Sequence, residues 1–308
     1  MRIAVIGAGG VGGYFGVQLA AAGHDVVFVA RGRQLAALRE GGLTVVSDDH
    51  PVRLTEVEAT DDVRAIGDVD LVLIAVKLGE TENVARQLAQ LPTGPRAVLS
   101  LQNGVQKDEL LRTHLPATEI LGGVCYISAA IEAPGVIRHN GSLARIVVGT
   151  YGGPPSATVD ALQQALGDAG VEVEVSDDID AAVWRKFVFL VALSSATSAA
   201  RQPIGVLRAN DSTRRLLRDL MEETVAVARA RGVVLPADYV DRQMDFIDTL
   251  PEQMGSSMHY DLTHGNALEL PWLGGGVVTM GEAVGVPTPT CRALAAALSP
   301  YTQGGTPA

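Results

Sequence analysis

Short apolar runs, many of them β-branched, alternate with stretches of helical periodicity through the first half of the chain. Residues 3–6 form one such run, followed by glycines and then by a helix-like segment over 11–21. Residues 25–30, 71–76 and 97–101 repeat the character, the last two each leading into a polar helical stretch. Runs without polar alternation are buried on both faces, and the helices between them supply the crossovers that a parallel sheet needs. Residues 146–149 and 171–175 read as later strands of the same layer, with a helix over 156–167 between them. The pattern predicts an α/β domain of the Rossmann type, doubly wound on a mainly parallel sheet, over residues 1–175.

The periodicity changes near Ser176. Residues 177–200 contain no strong turn former and predict one long helix, with Asp177 or Asp178 as its acidic start. Residues 212–231, 237–249 and the flanks of Ala283 are helical in pattern, punctuated by Pro203, Pro236, Pro251 and Pro287. An all-α domain over 176–300 is therefore expected. Residues 301–308, the end of a stretch that loses its pattern at Ser299, read as an unstructured tail.

Composition narrows the class. A chain of 308 residues suits one large domain or two of ~150 residues. With 47% hydrophobic residues it can bury proper cores. A balance of 24 basic against 35 acidic residues, net −11, repels a phosphate backbone, so nucleic acid is not expected as a partner. Cys125 and Cys291 lie far apart and in no metal-ligand spacing, which fits a reducing compartment. The apolar N-terminus is broken by Gly7, Gly9, Gly10, Gly12 and Gly13, unlike a secretion signal. No apolar run reaches the ~20 residues of a membrane span. A cytoplasmic protein with no membrane association is expected.

Gly7-Ala8-Gly9-Gly10-Val11-Gly12 fits G-x-G-x-x-G directly after a strand and at the opening of a helix. Gly7 suits the tight turn, Gly9 the close approach of a pyrophosphate, and Gly12 the packing of helix on strand. The helix N-terminus then faces the phosphates with free N–H groups. At the end of the second strand an NAD-selective site carries a carboxylate for the ribose 2′-hydroxyl. Here the residues are Val29-Ala30-Arg31-Gly32-Arg33. Arginine grips phosphate with two parallel bonds, so Arg31 points to NADP(H) as cofactor. Lys77 and Gln102-Asn103-Gly104 end two further apolar strands, where open sheets hold their ligands. Lys77 could add charge near the cofactor phosphate, and Asn103 a hydrogen bond to ribose or substrate.

Taken in order, the IGAGGVGGYFG start, Arg31, Val76-Lys77, Gln102-Asn103-Gly104, Trp184-Arg185-Lys186-Phe187, Ser256-Ser257-Met258 and Gly285-Val286-Pro287-Thr288-Pro289 resemble the ketopantoate reductase (2-dehydropantoate 2-reductase) family. The resemblance runs to about residue 300. It implies a Rossmann domain followed by a helical domain of the 6-phosphogluconate dehydrogenase-like type. It also implies NADPH-dependent reduction of a 2-oxo acid to a 2-hydroxy acid, with 2-dehydropantoate as substrate in pantothenate biosynthesis. By position, Lys186 resembles the proton donor. Glu269 resembles the acid beside that lysine and the nicotinamide ribose. Arg31 and Lys77 correspond to 2′-phosphate contacts, Asn103 to a residue near both nicotinamide ribose and substrate, and Ser257 to a serine that binds the substrate carboxylate. The family's asparagines one and two helical turns after the lysine are Leu190 and Ser194 here, and two further ones are Met254 and Ile204. The resemblance therefore implies a substrate site at Asn103, Lys186, Leu190, Ser194, Met254 and Ser257 that is more apolar than one built for ketopantoate.

Reaction chemistry argues separately for Lys186. Hydride delivery to a ketone carbon leaves negative charge on oxygen, which a positioned ammonium can stabilise and then protonate. An ordinary lysine, pKa about 10.4, is in the right form at neutral pH. The plainer role for a lysine in the apolar stretch 184–193 is a side chain snorkelling at a helix surface. The six histidines, at 24, 50, 114, 139, 259 and 264, include only a faint metal-site pattern, His259 and His264 flanking Asp261, and no metal is expected.

Three functions remain: a ketopantoate-type reductase, a relative with the same cofactor but a more apolar carbonyl or imine substrate, and an NADP(H)-binding sensor without turnover. Lys186, Glu269 and Ser257 argue against the sensor, which needs no proton donor. A small 2-oxo acid is the expected partner and the chain could pair as a homodimer, while on the sensor reading the helical half would contact a protein partner.

Overall fold

The structure, a computed structural model, describes residues 1–49, 51–153 and 155–305. His50 and residues 306–308 of the expected tail lie outside the described residues. The chain divides into two compact units, Met1–Ala182 and the residues from Val183 onward. The division falls inside the long helix rather than at 175/176. The first turn of that helix packs on the sheet: a Cβ at Gly122 or Gly149 would come within 2.5 Å or 3.0 Å of Ile179.

The first unit runs β1 (Arg2–Ile6), α1 (Gly10–Ala21), β2 (Asp25–Val29), α2 (Gly32–Gly41), β3 (Leu43–Val46), β4 (Val52–Leu54), β5 (Glu58–Thr60), β6 (Leu71–Ile74), α3 (Thr81–Leu88), β7 (Ala97–Ser100), α4 (Lys107–His114), β8 (Glu119–Ala133), β9 (Val136–Gly149), α5 (Ala157–Asp168) and β10 (Glu172–Val175). The strands form one sheet in the order β4-β3-β9-β8-β7-β6-β1-β2-β5, with β10 also on β9. From β5 to β8 every pairing is parallel, with Ile3 opposite both Val26 and Leu71. Alternate residues of β1 enter different cores. Ile3 and Val5 join Phe15 and Phe28 on one face, and Ala4 and Ile6 join Ile66, Val72 and Leu88 on the other. That is why the central strands read as uninterrupted apolar runs.

The antiparallel part of the sheet goes beyond the sequence reading, which found only the end of β9. β8 and β9 form a long hairpin around Pro134-Gly135, from Ala133 opposite Val136 to Gly122 opposite Gly149, with two register shifts. Its distal half is largely exposed and rich in alanine and polar residues, so no continuous apolar run marks it. The far edge of β9 is shared: residues 136–138 pair with β3 and residues 145–148 with β10. α1 is buried continuously from Gly12 to Leu19, which explains why it shows no polar face.

The second unit contains most of α6 (Ile179–Ala200), then α7 (Ile204–Ala209), α8 (Asp211–Ala230), α9 (Tyr239–Thr249), α10 (Ser257–Thr263), α11 (Gly274–Val284) and α12 (Pro289–Leu298). Side chains supply several of the helix starts in this unit. Asn210 accepts from the Ser212 and Thr213 amides at 3.0 and 3.2 Å. Glu223 on α8 accepts from the amides of Thr290 and Cys291, at 2.7 and 2.8 Å, and so caps α12 from another helix. Burial, with the Glu223 charge beside it, pushes the Cys291 thiol up.

The expectation of an unstructured tail is corrected over its described part. Ser299–Tyr301 is a 3-10 turn, the Thr302 carbonyl accepts from the Leu268 amide at 3.0 Å, and the Gly305 amide donates to Gly265 at 3.1 Å. These partners lie more than thirty residues upstream, so no local pattern announces them.

A charged cluster lies inside the first unit. Lys107 and Asp108 open α4 with side chains only 1% and 2% exposed. Lys107 Nζ donates to Asp108 Oδ2 at 3.0 Å and to the carbonyls of Ser100 and Gly123 at 2.8 and 3.2 Å. The Tyr151 hydroxyl donates to Asp108 Oδ2 at 2.5 Å, while the Arg112 guanidinium lies 3.9 Å from the centre of the Tyr151 ring. Burial, and then the Asp108 charge, raise the Tyr151 pKa. Through these carbonyls the cluster joins the end of β7 to Gly123 within β8. Removing one partner of such a buried pair leaves an uncompensated charge. Lys107→Met is expected to cost about 3–5 kcal/mol in urea unfolding, whereas Arg214→Met, breaking the exposed Arg214–Asp248 pair, costs less than about 1 kcal/mol.

Candidate functional site

The glycine loop separates its demands among three residues. Gly7 has φ +101°, and its amide donates to Val29 at 2.9 Å, which turns the chain off β1. A Cβ at Gly12 would meet the Gly7 carbonyl oxygen at 2.2 Å and Ala75 Cβ at 2.9 Å, so only glycine lets α1 come this close to the loop and β6. A Cβ at Gly9 would meet nothing within 4 Å, so the loop is open on that side. Gly9 is also the N-cap of α1, with no side-chain cap and no acid in the first turn. The N–H groups at this helix end thus face space in a setting that favours an anion, and a dinucleotide pyrophosphate fits it. Ala8, Gly10 and Val11 complete the loop. At Gly10 a Cβ would strike the Ala129 carbonyl of β8 at 2.2 Å, so the hairpin closes the other side.

Gln34 secures this arrangement, and no motif pointed to it. Its Nε2 donates to the Ala8 carbonyl at 2.8 Å, and its Oε1 accepts from the Gly135 amide at 3.0 Å. One amide therefore ties the loop to the tip of the β8–β9 hairpin.

Arg31 follows β2 as the N-cap of α2 in extended conformation, its side chain 64% exposed. It is not unaccompanied: its Nη1 lies 3.2 Å from Glu80 Oε2. Lys77 caps the 3-10 turn Leu78–Glu80 that follows β6, and the Glu80 amide donates to the Lys77 carbonyl at 2.9 Å. The residue after β2 and the turn after β6 therefore meet through Arg31 and Glu80, an acid that the sequence did not flag. Gln102, at the end of β7, is a structural amide. It donates to the Val76 carbonyl at 3.0 Å and to Thr81 Oγ1 at 2.9 Å, and accepts from Ser100 Oγ at 2.9 Å. The next residue, Asn103, is half-buried on a backbone held in place by these bonds.

In the helical unit, Lys186, Leu190 and Ser194 follow one another at four-residue spacing along α6. Lys186 and Leu190 are half-buried, and Ser194 is 1% exposed. The Tyr239 hydroxyl on α9 donates to the Arg185 carbonyl at 2.8 Å, which fixes the turn of α6 that carries the lysine. Ile204 and Met254 are brought together, the Ile204 amide donating to the Met254 carbonyl at 2.9 Å. Ile204 is fully buried and Met254 half-buried. Ser256 caps α10, its Oγ accepting from the His259 amide at 3.0 Å and lying 3.1 Å from Thr197 Oγ1 on α6. The exposed Ser257 thus starts a helix that is joined to α6 next to Ser194. Glu269 is half-buried, and its carbonyl accepts from the amides of Trp272 and Leu273 at 3.0 and 3.1 Å in the turn leading to α11. Tyr239 and Thr197 escaped the sequence reading because their partners, the Arg185 carbonyl and Ser256 Oγ, lie more than fifty residues away in the chain. Among the described residues no group of three or more His, Cys, Asp or Glu could hold a metal ion. His264 instead stacks on Tyr260 with ring centres 3.8 Å apart.

Comparison with known proteins covers both units. Residues 3–153 match the family model described as "Ketopantoate reductase PanE/ApbA", and residues 178–302 match its C-terminal counterpart. A "2-dehydropantoate 2-reductase" of Halobacterium salinarum is 33% identical over 298 residues, 96% of this chain and 97% of the relative. An "Uncharacterized oxidoreductase YkpB" of Bacillus subtilis is 28% identical over 98% of this chain and 99% of its own. The crystal structure of a PanE/ApbA family ketopantoate reductase from Ralstonia eutropha JMP134 superposes with a TM-score of 0.89 at 34% identity, over 98% of both chains. The two family matches together span nearly the whole chain, glycine loop and helical unit alike, and the chain belongs to the ketopantoate reductase family of NADP(H)-dependent oxidoreductases.

Proposed function

We propose that this oxidoreductase reduces a 2-oxo acid to the 2-hydroxy acid, with Lys186 as proton donor and ketopantoate-type chemistry. The observation that carries the reading is the placement of Lys186. It is half-buried on α6 between the exposed Arg185 and the buried Phe187, and Tyr239 holds its turn from outside the helix. Partial burial limits the water that can screen the ammonium, so its charge acts more strongly on an oxyanion than in bulk solvent.

The Gly7–Gly12 loop would hold the pyrophosphate, Arg31 and Lys77 the 2′-phosphate, and Asn103 and Glu269 the nicotinamide ribose. When bound, NADPH supplies the hydride. The residues of the chain do the rest. Ser257 holds the substrate carboxylate, Lys186 Nζ hydrogen-bonds the keto oxygen and passes a proton to it as charge develops, and Glu269 orients the lysine. Lys186→Ala is expected to lower kcat by about a hundredfold or more, the usual contribution of a positioned acid. The Kd for NADPH, read by fluorescence titration, should stay within about twofold of the parent, the limit taken for a residue outside the phosphate contacts. Undiminished turnover would remove the proton donor from the mechanism.

A second reading of the substrate rests on the four positions where the family carries asparagines. Ile204 and Ser194 are buried, so Leu190 and Met254 are the ones with surface to offer. A thioether and an isobutyl group cannot satisfy substrate hydroxyls, and they favour an aliphatic or aromatic side chain. An apolar pocket gains only about 1–3 kcal/mol per methylene, so its preference is graded rather than absolute. The expected outcome on this reading is a kcat/KM for branched or aromatic 2-oxo acids at least about tenfold above that for 2-dehydropantoate. Leu190→Asn should then narrow the gap. A preference for 2-dehydropantoate in the parent enzyme establishes the first reading and discards the second.

A further inference from the structure

The ion pair at the end of β2 carries a consequence for the choice of dinucleotide. Arg31 Nη1 and Glu80 Oε2 are 3.2 Å apart, on side chains 64% and 45% exposed. Glu80 is held by its place in the 3-10 turn capped by Lys77, through the bond of its amide to the Lys77 carbonyl. Asn83 Nδ2 also donates to Glu80 Oε2, at 3.4 Å. The carboxylate therefore stays beside Arg31 through its own backbone and a neighbour on α3.

Its chemistry opposes that of the arginine. A 2′-phosphate accepted by Arg31 brings close to two negative charges next to Glu80, and like charges at such range repel. A ribose 2′-hydroxyl, in contrast, needs an acceptor, and a carboxylate near the end of β2 is the group that NAD-selective sites use for it. Here the acceptor comes from the loop after β6 instead of from the end of β2 itself.

We infer that Glu80 is a specificity-determining residue that accepts the 2′-hydroxyl of NAD(H) and narrows the margin by which Arg31 favours NADP(H), so that the chain takes both dinucleotides. With NADP(H), Arg31 leaves Glu80 for the 2′-phosphate. With NAD(H), the pair stays closed and Glu80 takes the hydroxyl proton in a hydrogen bond. The exposure of both side chains lets the pair open at little cost, since exposed ion pairs contribute less than about 1 kcal/mol.

The inference rests on the dinucleotide reading of the glycine loop and of Arg31, and the experiment separates the two. NADPH and NADH are titrated by nicotinamide fluorescence into the parent protein, Glu80→Gln, Glu80→Ala and Arg31→Ala. Parent Kd values for the two should lie within about a hundredfold of each other. Glu80→Gln should tighten NADPH about fivefold, the effect of one like charge at this range in water. Glu80→Ala should weaken NADH by a similar factor, through loss of the hydroxyl's acceptor. A ratio of NADH to NADPH Kd that shifts by less than twofold in both Glu80 variants, or moves toward NADH, overturns the inference. If Arg31→Ala still weakens NADPH in that case, the cofactor reading stands alone. If the parent protein binds neither dinucleotide, both fall together.

Discussion

The helix after the glycine loop approaches its surroundings at backbone distance, and the first unit is arranged around that contact. Gly12 lies against the Gly7 carbonyl and Ala75, Gly13 against Ile137 of β9, and Gly16 against Phe28 of β2, where an added Cβ would fall 2.2–2.9 Å from an atom in each case. A helix packed by side chains sits about 8–10 Å from its neighbour. Substituting glycine at three positions brings it closer and lets the sheet cover it from two sides. The cover on the second side is the β8–β9 hairpin, so a hairpin with little core of its own becomes necessary to the fold. Gln34 secures the junction by bonding the loop at one end of its amide and the hairpin tip at the other.

That close packing also decides where the loop is open. With Gly7 and Gly12 facing inward and Gly10 against Ala129, the remaining side is Gly9, at the uncapped start of α1. The open face of the loop is thus set by what the packing leaves uncovered. The strand ends around it are stiffened by polar groups that bind nothing external. Gln102 holds the segments after β6 and β7 together, and Lys107 joins β7 to β8 from within. Buried charge of this kind is costly unless fully partnered, and here each charged group has a charged neighbour and further hydrogen bonds.

The helical unit is held by borrowed caps and by hydroxyls. Glu223 starts α12 from α8, Ser256 starts α10 and reaches Thr197, and Tyr239 bonds a carbonyl on α6. The lysine, Leu190 and Met254 are therefore displayed on a frame whose geometry depends on contacts between helices. Leu190, Ser194, Ile204 and Met254 do not share one environment on this frame: Ser194 and Ile204 are buried in the interior, and Leu190 and Met254 stay half-buried.

Local pattern was sufficient for much of this. The order of buried strands and helices, the glycine loop at its strand-to-helix turn, the long α6 and the regular spacing of Lys186, Leu190 and Ser194 are all properties of neighbouring residues. Burial on both faces and helical period leave direct marks on the order of apolar and polar positions. The hairpin, the ordered residues 299–305, the three shorter helices α7, α10 and α12, and the pairing of Arg31 with Glu80 left no such mark. Each depends on a hydrogen bond, ion pair or packing contact between residues far apart in the chain, whose energy exists only once the backbone has brought them together. Arg31 by itself pointed to a phosphate ligand. Glu80 comes forty-nine residues later, and only the folded chain places that carboxylate beside the guanidinium.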